Sequence, residues 1–210
     1  TNPAGIDNNF KSTVDILHEA PGVTLTALFA PEHGVRGDVH AGDNVENMVD
    51  PATGVTVYSI FGKTHKPTPE MLKDVDVLIY DIQDIGCRSY TFISSMGEAM
   101  DACAELGKDF MVLDRPNPVG GNKVEGNLVE KDYVSFVSRF PIPYLYGLTP
   151  GELAIYLNEE GLLDSGKKVN LEVVPMEGWT RDMTFAETGM PWVLPSPHIP
   201  NAEIGLLYPV

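Results

Sequence analysis

A chain of 210 residues, 43% of them hydrophobic, has enough apolar side chains for one large domain, or one and a half, with a proper core. A formal net charge of −16 repels nucleic-acid phosphates and argues against a nucleic-acid partner, and no apolar stretch approaches the roughly 18 residues of a membrane span. The two cysteines, Cys87 and Cys103, match neither a metal-ligand spacing nor a disulfide framework, and Cys103 falls in a helical pattern as a small core residue.

From the N-terminus, Asn8 or Asn9 is placed to cap a helix over residues 10–19 with Phe10, Val14 and Leu17 inward, ended by Pro21-Gly22. Residues 23–30 are rich in β-formers and predict a strand. Residues 31–54 make a polar loop too long for a mere connector. Residues 55–60 are a second strand, and Thr68-Pro69-Glu70 opens a short helix with Pro69 in its first position. Residues 75–81 are a near-continuous apolar strand, the kind buried on both faces of a parallel sheet. Residues 91–106 read as a helix ended by Gly107, and 109–113 as another buried strand. A Pro/Gly-rich loop follows over 114–121. Residues 122–147 then trade β/α alternation for aromatics and prolines. Thr149-Pro150-Gly151-Glu152 is a capping box that opens a helix to about Glu160. Residues 169–174 are a later strand, and the proline-rich stretch 191–200 is extended. Neither end looks like a natural boundary. Thr1-Asn2-Pro3 follows no start signal and Leu206-Leu207-Tyr208-Pro209-Val210 closes no element, so a piece of something longer is expected.

Strands alternating with helices predict an α/β fold with a doubly wound, mostly parallel sheet. In such sheets ligands bind beyond the carboxyl ends of the strands. Three predicted strands carry acids there: Glu32 after Ala30, Asp81 and Asp84 after Tyr80, and Asp114 after Leu113. A cluster of carboxylates on one rim is what acid/base chemistry needs. Glu32 is the strongest single candidate, because Gly34 permits a tight turn that turns Glu32 and His33 inward. The plainer alternative is a salt bridge from Glu32 to Arg36. For Asp81 and Asp84 the alternative is hydrogen bonding to backbone amides or capping the next helix, and for Asp114 an ion pair with a neighbouring arginine. Arg36, Arg88 and Arg115 each offer a fork of donors to an anionic substrate group, or else neutralise the acids themselves. His33 orients a carboxylate, contacts a sugar or simply bonds within the structure. Tyr90, Tyr146, Trp179 and Trp192 stack on sugars or pack in the core. Asn117 lies in a stretch that also reads as turn chemistry.

Several motifs are missing. No G-x-G-x-x-G follows a strand, no G-x-S-x-G occurs, and Gly62-Lys63-Thr64 lacks the first glycine of a phosphate loop. No cofactor is therefore expected. A metal hydrolase is kept as an alternative because Glu32, His33, His40 and Asp43 are close in sequence, although their spacing matches no standard site.

Two strings stand out, Phe29-Ala30-Pro31-Glu32-His33-Gly34-Val35-Arg36-Gly37 and Asp81-Ile82-Gln83-Asp84-Ile85-Gly86-Cys87-Arg88-Ser89-Tyr90-Thr91-Phe92. With Leu113-Asp114-Arg115-Pro116-Asn117-Pro118-Val119-Gly120-Gly121, Glu125-Gly126, Tyr146-Gly147-Leu148-Thr149-Pro150-Gly151-Glu152, Met176-Glu177-Gly178-Trp179 and Trp192-Val193-Leu194-Pro195-Ser196-Pro197, they make the chain resemble the NamZ-type exo-β-N-acetylmuramidases over nearly its whole length. The resemblance implies a Rossmann-like domain over residues 1–150, extending as far as 175, followed over 151–210 by the start of a smaller auxiliary region. It implies removal of N-acetylmuramic acid from non-reducing ends of peptidoglycan fragments, with Glu32 in the catalytic position; the residues themselves leave Asp84, Asp114 or the substrate's own N-acetyl group as the second group. His33, Arg36, Asp81, Arg88, Tyr90, Arg115, Asn117 and Glu125 then become candidate substrate contacts. Family members begin with a further strand and continue past the Pro-Ser-Pro segment. An extracytoplasmic location, muramyl saccharides as partners and no membrane span in this chain complete the expectation. The competing class is a non-catalytic binder of cell-wall glycans.

Overall fold

The computed structural model describes residues 1–37 and 47–208. In chain order its elements are α1 (Thr13–Glu19), β1 (Leu28–Ala30), β2 (Met48–Val49), β3 (Thr56–Ser59), β4 (Val77–Tyr80), α2 (Phe92–Leu106), β5 (Asp109–Leu113), α3 (Pro150–Glu159), β6 (Asn170–Val174) and α4 (Ile204–Leu207). Short 3-10 turns occupy Lys131–Tyr133 and Phe185–Thr188.

Two three-stranded sheets form, in the orders β1-β3-β2 and β4-β5-β6. β1 runs parallel to β3, with Leu28 opposite Val57, and only β2 is antiparallel. β4, β5 and β6 are all parallel, with Leu78 opposite Phe110 and Phe110 opposite Leu171. β5 is central and shows why such a strand is apolar throughout. Its Phe110 and Val112 join the main core with α2 and α3, while Met111 turns to the opposite side with Val14 and Leu17 of α1. The helices therefore cover both faces, as in a Rossmann-like fold. β6 extends this sheet beyond residue 150.

α2 is buried along most of its length, with Phe92, Ile93, Met96, Met100 and Cys103 in the core, and Gly107 ends it at φ 66°. A Cβ on Gly97 would lie 2.3 Å from Phe140 Cζ, so this glycine admits the 122–147 segment against the helix. Thr149 and Glu152 form the expected capping box on α3.

Between residues 22–29 and 74–79 runs a groove of about 460 Å³, floored by Val14, Leu17 and Met111. Among the described residues no ladder joins β1 to β4 across it. That is why the strand expected over 23–30 shrinks to Leu28–Ala30, for β3 pairs only that end of it. Other expectations also change. The Asp7 carboxylate accepts from the amides of Asn9 and Lys11, both at 2.8 Å, which makes a turn where a helix was expected to start. α1 begins later, capped by Ser12, and Phe10 is 68% exposed at φ 63°. Residues 69–74 form turns and no helix. Six residues squeezed before β4 do not repay the cost of a helical nucleus. β2 and α4 are additions that no periodic pattern announces.

Candidate active site

Pro31, Ile60 and Ile82, the residues just past β1, β3 and β4, line one small cavity, so these strand ends open on the same side. Glu32, Asp81 and Asp84 leave from that rim, and Asp114 follows β5, which is parallel to β4.

Glu32 sits on a turn in which the Gly34 amide donates to the Pro31 carbonyl at 3.0 Å. His33 has φ 72° and Gly34 φ 78°. A non-glycine residue in the left-handed region costs about 1 kcal/mol, and such strain gathers at sites that need a particular geometry. His33 is buried, and its Nδ1 has no partner among the described residues. Glu32 is half-buried, and its Oε2 accepts from the Thr91 hydroxyl at 3.0 Å. Thr91 immediately precedes α2. Glu32 makes no ion pair among the described residues. The expected alternative, a bridge to Arg36, is not formed. Arg36 is a fork on Asp50 at 3.1 and 3.0 Å, with a second arm on Asp15 at 2.8 Å.

Asp84 is buried. Its Oδ2 accepts from the Tyr146 hydroxyl and from the Gly86 amide at 2.8 Å, while Oδ1 has no partner among the described residues. Burial pushes this carboxyl up to about 6 against the pull of those donors. Tyr90 packs edge-on against Phe92 at 5.0 Å and Tyr208 at 5.8 Å. Burial pushes its hydroxyl well above the usual tyrosine value, and the charges of Asp84 and Glu32 add to the shift while Ser196 opposes it. Tyr90 thus lies in the field of both carboxylates, with its ring in the core and its hydroxyl without a hydrogen bond among the described residues.

The other acids are committed elsewhere. Asp81 is paired with Arg115, whose Nη2 reaches Oδ2 at 3.1 Å and the Ile6 carbonyl at 3.0 Å, and it also accepts from the Thr13 hydroxyl. This pair fastens the N-terminal segment to the ends of β4 and β5. Asp114 is held by the Gly151 amide at 2.8 Å, its neighbour Arg115 amide at 3.0 Å and the Thr149 hydroxyl at 2.8 Å. Both its oxygens are therefore used on the start of α3. Burial raises its carboxyl above the usual range, and these donors oppose that. The alternative of an Asp114–arginine ion pair is not formed either, since the Arg115 side chain goes to Asp81.

Arg88 donates to the Asn127 and Ile142 carbonyls at 2.5 and 2.6 Å, and its guanidinium lies 5.3 Å from the Tyr144 ring centre. Arg139 pairs with Glu98 and Asp164, and Arg181 with Glu152. All five arginines are thus engaged within the fold, with Arg36 and Arg115 on acids, as in the neutralising alternative, and Arg88 on backbone carbonyls. Asn117 is likewise occupied, accepting from the Val119 amide at 3.1 Å and donating to the Leu148 carbonyl at 2.9 Å. Glu125 pairs through its backbone with Leu145, and its residue is exposed. Trp192 packs edge-on against Phe185 and donates to the Ile199 carbonyl, holding the extended tail. Trp179 is half-buried beside Gly121. Among the described residues no three His, Cys, Asp or Glu side chains gather as a metal site, and His40 and Asp43 lie outside those residues.

Two contacts escaped the sequence. Thr91 reads there only as the first residue of a helix, and Tyr146 as a stacking or core ring, whereas each places a hydroxyl on a carboxylate far away in the chain.

Residues 1–203 match the family described as exo-beta-N-acetylmuramidase NamZ, N-terminal. The chain is 56% identical over 209 residues to the protein of Bacillus subtilis (strain 168) named peptidoglycan beta-N-acetylmuramidase NamZ, covering 100% of this chain and 50% of that protein. Two crystal structures of DUF1343-family proteins from Bacteroides fragilis NCTC 9343 are similar to it. One has a TM-score of 0.93 at 62% identity, covering 100% of this chain and 52% of its own. The other has a TM-score of 0.81 at 36% identity, covering 99% and 53%. The chain spans about half the length of these relatives.

Proposed function

The chain belongs to the NamZ exo-β-N-acetylmuramidase N-terminal family, and from that premise we propose that it is the Glu32-bearing part of a glycoside hydrolase that removes N-acetylmuramic acid from the non-reducing ends of peptidoglycan fragments. The observation that carries the role of Glu32 is its setting. Asp81 and Asp84 are buried, and Asp114, half-buried like Glu32, has both oxygens taken by the start of α3, whereas Glu32 makes no ion pair among the described residues, bonds only through Oε2 there and stands on a turn strained at His33. In this reading Glu32 protonates the glycosidic oxygen as general acid.

Of the two further acids, Asp84 is the better second group. It keeps one oxygen unpartnered among the described residues, whereas both oxygens of Asp114 are tied to the α3 start. Asp84 assists attack at the anomeric carbon, or steers the substrate's own N-acetyl group to do so. For the lactyl carboxylate, Arg36 is the arginine best able to serve. Its contact with Asp15 is partly exposed, so a ligand anion can exchange with it, while Arg88 and Arg115 are buried. The same reading puts the protein outside the cytoplasmic membrane, where peptidoglycan lies.

The test is hydrolysis of a muramic-acid-terminated disaccharide by the full-length protein. Release of N-acetylmuramic acid supports the reading. Glycan binding without turnover would favour a non-catalytic binder, and cleavage of glucosaminides in preference to muramides would overturn the substrate class.

A further inference from the structure

Thr91 stands at the N-cap position of α2, where a threonine hydroxyl ordinarily accepts a hydrogen bond from one of the first free amides of the helix. Here it makes no such bond. Its backbone is already helical, at φ −72° and ψ −12°, and the hydroxyl turns away to donate to Glu32 Oε2 at 3.0 Å. Thr149 shows what this chain does when a threonine serves its helix, for its hydroxyl accepts from the amide of Glu152 three residues on. α2 is the longest helix among the described residues and one of the most deeply buried, so an unused cap there is a local rule broken in favour of a contact 59 residues away.

We propose that Thr91 is a positioning residue for Glu32, selecting which carboxyl oxygen carries the proton that is delivered to the glycosidic bond. A hydroxyl that donates to Oε2 makes that atom the acceptor. The acidic proton then resides on Oε1, which takes no hydrogen bond from the described residues. Delivery of that proton to the glycosidic oxygen leaves a carboxylate whose Oε2 still holds the Thr91 hydrogen bond. The strained His33 turn fixes Glu32 from the backbone side and Thr91 fixes it from the carboxyl side, so both torsional ends of the side chain are set before substrate arrives. This inference rests on Glu32 being the acid.

Its test uses the full-length protein and a chromogenic muramide. Thr91→Val, which removes the donor and keeps the shape, is expected to lower kcat by roughly ten- to a hundredfold, with KM changed less than about twofold, because a misaligned acid slows the chemical step without weakening ground-state binding. Thr91→Ser keeps the hydroxyl and is expected to restore kcat to within a few fold of wild type. In a Glu32→Gln background Thr91→Val is expected to cost nothing further, since its effect passes through the acid. Thr91→Ala, which adds no apolar branch to the helix start, gives the same reading if the valine variant folds poorly. Wild-type kcat in Thr91→Val, equal losses in Thr91→Val and Thr91→Ser, or an added loss on Glu32→Gln each overturn the proposal. Full activity in Glu32→Gln alone is different, for it overturns the assignment of the acid itself.

Discussion

Tyr146 donates its hydroxyl hydrogen to Asp84 Oδ2 across 62 residues of chain, and the partner oxygen Oδ1 is buried without a hydrogen bond among the described residues. The carboxyl is therefore drawn two ways. Desolvation favours the acid, and Tyr146 with the Gly86 amide favours the anion. Desolvation is the larger, and the carboxyl titrates near 6 instead of its usual 3.8.

Stability follows from that shift. The folded state holds the Asp84 proton more tightly than the unfolded chain, so its stabilising contribution is fully present below the unfolded value and is lost as pH rises through about 6. Asp84→Asn has no proton to lose. Relative to wild type it is expected to gain on the order of 2 kcal/mol between pH 4 and pH 7.5, as read from urea denaturation at the two pH values. A difference that does not change with pH would contradict a protonatable Asp84.

Tyr146→Phe removes the donor and leaves the ring. The anion is then held by backbone alone, and a hydrogen bond to a charged group is worth about 1.5–3 kcal/mol. The variant is expected to lose stability of that order at pH 7.5 and much less at pH 4, where Asp84 is protonated.

Asp114 is expected to behave as a structural residue. Asp114→Ala leaves the Thr149 hydroxyl and the Gly151 amide without their partner, and a loss of about 2–3 kcal/mol in unfolding free energy is expected, with kcat of the folded variant within a few fold of wild type. A hundredfold fall in kcat with unchanged stability would make it the second catalytic acid after all.

Asp15 and Asp50 share the Arg36 guanidinium, which the proposed function offers to the lactyl carboxylate. Asp15→Asn frees one arm of the guanidinium while Asp50 keeps the other. KM for a muramide is expected to fall by about two- to fivefold, the scale of an exposed ion pair, with kcat unchanged. A rise in KM would show that Arg36 serves only the fold.

Local patterns made much of the fold legible. The strand at β5, the helix α2 with Gly107 at its end and the capping box of α3 all depend on neighbours a few residues away, and all three stand where the sequence puts them. The strand expected over 23–30 needed a partner that periodicity does not reveal, and only its last three residues pair. The site divides in the same way. That acids would collect at the strand ends follows from parallel topology. Which acid would stay unpaired does not, because Arg115, Tyr146 and Thr149 reach Asp81, Asp84 and Asp114 from 34, 62 and 35 residues away. Arg36, Arg88 and Arg115, each near an acid-bearing loop, read equally as anion binders or as partners of the acids, and only the fold shows their donors on Asp15 and Asp50, on backbone carbonyls and on Asp81.

Glu32→Gln keeps the size of the side chain and an oxygen to accept from Thr91 but removes the transferable proton. Measured with the full-length protein on a muramic-acid-terminated disaccharide, its kcat is expected to fall by about two to four orders of magnitude, the usual contribution of a general acid, while binding of the disaccharide persists. Wild-type turnover by Glu32→Gln would contradict the central assignment.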